Sequence, residues 1–188
     1  MSAHSRPRRV LPPLDQKRLQ DLALRYVGKY ATTRAKLRSY LARKVRERGW
    51  TGDREPDLEA LANRFAELGY IDDAAYAVAQ SRSLSARGYG KRRLSEKLRL
   101  AGVEAADGDA ARAQADGEAV AAALRFAERR RLGPFATTAA DPPQREKWIA
   151  AMVRAGHGFT LARAICAISP GNPIDVDELN ERAGITVG

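Results

Sequence analysis

The chain has 188 residues, 44% of them apolar and 30% charged, enough for one or two folded domains with a hydrophobic core. Its net charge is +10, but residues 1–50 hold fourteen Lys/Arg against three Asp/Glu, so the opening quarter is +11 and the remainder −1. One cysteine and two histidines exclude a disulfide framework and a zinc set, and no apolar run approaches the ~18 residues of a membrane span. The basic N-terminus lacks the apolar core of a secretory signal. The composition therefore predicts a soluble, cytoplasmic protein with an anionic partner.

Residues 1–14 carry three prolines and no periodicity, and are expected to form a disordered basic arm. Asp15 is a candidate N-cap for a helix in which Leu19, Leu22, Ala23, Tyr26, Val27 and Tyr30 share one face. A second helix starts after Thr32 or Thr33, places Leu37, Tyr40, Leu41 and Val45 on one side, and stops at Gly49. A third begins at Pro56, carries Leu58, Leu61, Ala62, Phe65 and Leu68, and stops at Gly69.

The pattern then restarts. Asp72 and Asp73 open a helix running to about Arg87, closed by Gly88 and Gly90. The next, Lys91 to Ala101, carries Leu94 and Leu98 and ends at Gly102. The alanine-rich stretch from Glu104 divides near Asp116 and Gly117 into a short helix and a longer one holding Val120, Leu124 and Ala127. Residues 133–143 read as a loop, residues 144–155 and 159–168 as two last helices, and the tail from Ser169 as mostly irregular. No stretch alternates with period two, so the fold class is all-α.

Three apolar pairs recur: Leu37 with Leu41, Leu94 with Leu98, and Trp148 with Met152, the last two followed by Gly102 and Gly156. Their starts lie 57 and 54 residues apart. This predicts tandem three-helix repeats over residues 15–71, 72–115 and 116–168, packed in series into an elongated, curved helical protein, with residues 169–188 as a tail.

No catalytic constellation emerges. Adjacent carboxylates such as Asp72 and Asp73 diverge by about 100° on a helix and suit capping. The run from Gly88 to Lys91 lacks the spacing and preceding strand of a phosphate loop. His157, between two glycines, reads as a turn residue, and Cys166, among apolar neighbours, as a small buried hydrophobe. No serine has a histidine and an acid at motif spacing, and no cofactor motif is found. The expectation is a non-enzyme without metal or cofactor.

Basic faces carry the functional signal. On the second helix Lys36, Arg43 and Arg46 turn away from the apolar stripe, with Arg38 at its margin. On the fifth, Arg92, Arg93 and Arg99 turn outward while Lys91 and Lys97 flank the stripe, with Arg82 and Arg87 upstream. Two cationic surfaces thus stand at equivalent places in successive repeats, where phosphate contacts would make binding salt-dependent. The cluster Arg129 to Arg131 ends the alanine-rich helix and suits the negative end of its dipole.

The run from Phe65 to Ala77 (FAELGYIDDAAYA) and its sequel from Arg87 to Val103 (RGYGKRRLSEKLRLAGV) resemble the signature of the RecX family, bacterial regulators of the RecA recombinase. The resemblance extends more weakly over residues 23–49 and 145–168. It implies tandem three-helix units, no catalytic centre, and a protein that lodges along the RecA–DNA filament and modulates its ATPase, strand exchange and coprotease activities, most often as an inhibitor, in recombinational repair and the SOS response; a monomer is expected beside this. The segment 46–56 and the residues after Ser169 depart from the family pattern. The charge distribution alone fits a second reading, an autonomous nucleic-acid-binding helical protein without sequence specificity.

Overall fold

The computed structural model describes residues 12–184, which fold into ten α-helices and one 3-10 turn, with no strand among the described residues. The all-α class expected from the sequence holds. The chain divides into two compact units, one ending at Asp72 and the other beginning at Asp73.

The first unit contains α1 (Gln16–Val27), α2 (Arg34–Arg48) and α3 (Leu58–Glu67). Each starts where a short polar side chain can take an orphan amide: Asp15 accepts from Arg18 N at 2.8 Å, Thr33 from Lys36 N at 3.2 Å and Asp57 from Ala60 N at 2.8 Å. Asp57 displaces the expected start at Pro56 by two residues, because an aspartate caps and a proline does not. Leu19, Ala23, Leu37, Leu41, Ala62 and Phe65 form the core between the three helices.

The basic arm expected over residues 1–14 lies outside the described residues as far as residue 11. Its last residue belongs to the core: Leu14 is fully buried, donates its amide to Gly49 O and accepts from Thr51 N, both at 2.9 Å. These bonds form an isolated parallel bridge to Trp50. The leucine is held there by apolar burial after two prolines that hid it from a periodicity reading.

The second unit contains α4 (Asp73–Ala86), α5 (Lys91–Leu100), α6 (Ala105–Gly117), α7 (Ala119–Arg130), a 3-10 turn (Gly133–Phe135), α8 (Pro142–Arg154), α9 (Phe159–Ala167) and α10 (Val176–Ala183). Asp72 immediately precedes α4, as a capping residue would. At 13 residues α6 is not the short helix expected. It packs on α4 more extensively than any other helix pair in the unit, with Gly108, Ala111 and Ala115 buried on one side and Ala77, Ser81 and Ser85 on the other. Small residues let two backbones approach, a contact that amphipathic periodicity does not register. A second core joins Val120, Phe126, Ile149, Met152, Leu161 and Ile165.

The tail read as irregular contains α10. Asp175 caps it by accepting from Glu178 N at 3.0 Å, Gly184 ends it with a positive φ, and Leu179 is 3% exposed against the α7–α9 core.

Five helices end in the same way. After α3, α4, α5, α7 and α8, the amide of an apolar or aromatic residue (Tyr70, Tyr89, Val103, Leu132) or of His157 reaches back five residues to a carbonyl at 2.9–3.1 Å. The preceding residue has positive φ, and it is glycine in four cases and Arg131 in the fifth. This shared stop underlies the glycine spacing seen in the sequence.

Candidate partner-binding surface

The basic residues singled out from the sequence fall on α2, α4 and α5, and the helices sort them into tied and untied cations. On α2, Lys36 is half-buried in the first turn, and Arg38 forms an ion pair with Glu59 of α3. Arg43 is exposed, 3.9 Å from Glu47 and 5.7 Å from the ring centre of Tyr40. Arg46 is exposed with no partner among the described residues.

On α5, Lys91 pairs with Asp116 of α6 at 2.5 Å and Arg93 with Glu96 at 2.8 Å. Arg92, Lys97 and Arg99 have no acidic partner among the described residues. Arg92 and Arg99 stand two turns apart on one face. Exposed ion pairs are worth at most about 1 kcal/mol, so the paired cations can still exchange an acid for a phosphate.

Arg82 and Arg87 are exposed on and just beyond α4, and α7 adds two arginines beside them, Arg125, not among those singled out from the sequence, and Arg129, which its position assigned to the end of its own helix. Arg125 donates from Nε to Ser85 O at 3.0 Å and lies 3.8 Å from Glu118. Arg129 donates to the carbonyl of Arg87, with its guanidinium 5.8 Å from the ring centre of Tyr89. Arg87 covers the same ring at 5.5 Å and donates from Nε to Ser83 O at 3.1 Å. Arg82 and Arg125 border an open depression floored by Ala86 and Ala121.

Arg129 thus serves a helix C-terminus, that of α4 rather than its own. The one available signal was the i, i+4 spacing of Arg125 and Arg129, which puts both on one face of α7.

The residues weighed for chemistry are held as structure. His157 is 2% exposed, and its Nε2–H donates to Gly88 O at 3.1 Å. Burial lowers its pKa from the ordinary 6.5, against a smaller opposing effect of the Gly88 bond. Cys166 is buried with Sγ 3.7 Å from Met152 Sδ, and burial pushes its thiol up to about 11. Among the described residues no cluster of His, Cys, Asp and Glu could hold a metal ion, and no helix is long and apolar enough to cross a membrane.

Comparison with known proteins converges on one family. A family model described as RecX, second three-helix domain, matches residues 72–111, the segment comprising α4, α5 and the first half of α6. The regulatory protein RecX of Myxococcus xanthus is 34% identical over 173 residues, covering 88% of this chain and 90% of its own. That of Agrobacterium fabrum is 30% identical over 148 residues, covering 77% and 79%. That of Mycobacteroides abscessus is 37% identical over 109 residues, covering 57% and 50%.

Proposed function

The chain belongs to the RecX family of regulatory proteins, and we propose that it binds the RecA–DNA filament and restrains its ATPase, strand exchange and coprotease activities. It acts by binding, without catalysis of its own, in the cytoplasm and as a monomer. Its three-helix repeats contact the filament in series, so that weak contacts sum to avidity. The observation that supports this reading best is the set of cations without acidic partners among the described residues, Arg46 on α2 and Arg92, Lys97 and Arg99 on α5, the last three within the segment that the family model matches. Such residues are available to an anionic nucleoprotein surface without first breaking an internal pair.

The test is the single-stranded-DNA-dependent ATPase of a RecA-type recombinase, titrated with this protein beside a variant carrying Arg92→Glu, Lys97→Glu and Arg99→Glu. The wild type should inhibit at near-stoichiometric or lower ratios, and the triple variant should need a much higher concentration at unchanged helicity. Equal inhibition by both would remove the α5 face from the proposal. No effect of either protein, together with strong salt-sensitive binding to bare DNA, would favour the autonomous nucleic-acid binder instead.

A further inference from the structure

The first unit carries an aromatic and cationic cluster that includes Arg43 but none of the four cations on which the proposed function rests. Tyr26 in the last turn of α1 stacks on Tyr40 of α2, with ring centres 4.2 Å apart and planes 15° from parallel. Tyr30, just beyond α1, leans on Tyr26 at 5.4 Å. Lys29 Nζ lies 5.3 Å from the ring centre of Tyr30, and Arg43 and Lys44 lie 5.7 and 5.9 Å from that of Tyr40. With Arg25 and Leu22 these residues line one open cleft.

Charge in the cleft is uneven. Glu47 pairs with Lys44 at 2.6 Å and lies 3.9 Å from Arg43, whereas Arg25 and Lys29 have no acidic partner among the described residues. Tyr30 is 49% exposed, although its spacing places it with the buried face of α1. The cleft therefore offers a half-exposed aromatic ring, reached by the mobile end of one lysine, beside two cations without acidic partners among the described residues, on a floor built by the stacked rings of Tyr26 and Tyr40.

A ligand that uses both features needs a flat unsaturated ring and an adjoining anion. An unstacked nucleotide has both, because any base can stack on an aromatic ring while its phosphate meets a cation. A duplex hides its base faces within its own stack, and an acidic peptide supplies charge without a ring. We propose that the α1–α2 tyrosine cleft binds single-stranded nucleic acid, with a base resting on Tyr30 and the flanking phosphates held by Arg25 and Lys29. The cleft works without a recombinase, so this proposal stands or falls separately from filament regulation.

The experiment uses the full chain and fluorescence anisotropy with a short labelled oligothymidylate, an abasic oligonucleotide of the same length, and a duplex, with no recombinase present. Tyr30→Ala should weaken oligothymidylate binding by about fivefold or more, and leave the weaker abasic and duplex binding unchanged. Tyr30→Phe keeps the ring and should bind like the wild type. Arg25→Ala with Lys29→Ala should weaken both single-stranded ligands and flatten the salt dependence. Tyr30 is exposed, so an unaltered melting temperature for its variants would confirm that folding is intact. Equal binding by wild type and Tyr30→Ala would overturn the proposal, as would an equal loss on the oligothymidylate and abasic ligands. Displacement of the oligothymidylate by polyglutamate at matched charge would also overturn it and assign the cleft to an acidic protein.

Discussion

His157 Nε2 lies 3.1 Å from the carbonyl oxygen of Gly88, joining the α8–α9 turn to the α4–α5 turn across 69 residues of sequence. The ring packs on Phe126 with centres 5.6 Å apart, and two backbone bonds run beside it, Gly90 N to Ala155 O at 3.0 Å and Arg92 N to Gly156 O at 3.2 Å. The second unit is therefore clasped between two glycine-rich turns through a neutral imidazole.

Protonation should loosen that clasp. Burial lowers the folded-state pKa of His157 below the unfolded value of 6.5, so the unfolded chain binds the proton more readily. The contribution to stability is complete above pH 6.5 and is lost as the pH falls from there through the folded-state pKa. Urea midpoints from about pH 7.5 down to about pH 5 should fall more steeply for the wild type than for His157→Gln. Parallel curves would show that the histidine does not titrate in this window.

The clasp is also sterically tight. A Cβ on Gly90 would stand 2.3 Å from the Gly156 carbonyl oxygen and 2.6 Å from His157 N. Gly90→Ala should cost roughly 3 kcal/mol or more in urea unfolding, because backbone on both sides must move. Gly117 ends α6 with nothing within 4 Å of its would-be Cβ, and Gly117→Ala should stabilise by about 0.5–1 kcal/mol. Similar effects from both substitutions would contradict the close approach of the two turns.

Arg131 is the one non-glycine residue with positive φ among the described residues, at 55°, in the position that glycine fills after α3, α4, α5 and α8. An L-residue pays about 1–2 kcal/mol there, and glycine adds about 0.4–1 kcal/mol of unfolded-state entropy. Arg131→Gly should therefore raise the stability of the second unit by about 0.5–1 kcal/mol. A lower melting temperature would mean that the arginine side chain supports the turn by more than the strain it imposes.

The three leucines of α5 are not equivalent. Leu94 and Leu98 are buried beside Tyr76, Ala77 and Ala111, whereas Leu100 is 70% exposed. Leu94→Ala or Leu98→Ala should cost ~2–5 kcal/mol, and Leu100→Ala should stay within about 0.5 kcal/mol. A large loss at Leu100 in chemical denaturation would place an unrecognised contact on that side of the helix.

Local chemistry in the sequence determined the all-α class, the helices from α1 to α9 and their principal stops. Capping side chains, apolar spacing and glycines at helix ends act within a few residues of where they stand, so reading along the chain suffices. The same reading found the exposed cations of α2 and α5, because charge opposite an apolar stripe faces outward on any amphipathic helix. The signals for α10 were also present in Asp175, Leu179 and Gly184, but a helix of eight residues with one buried side chain is too short to show a period behind Pro170 and Pro173. Tertiary structure alone decided that Leu14 is core and that α6 lies full-length on α4 through small residues. It also decided that Arg125 and Arg129 join Arg82 and Arg87, that Tyr30 stays exposed, and that His157 closes a clasp on Gly88. Each of these depends on a partner brought close by packing between distant segments, and periodicity within one helix carries no record of which neighbour covers its face.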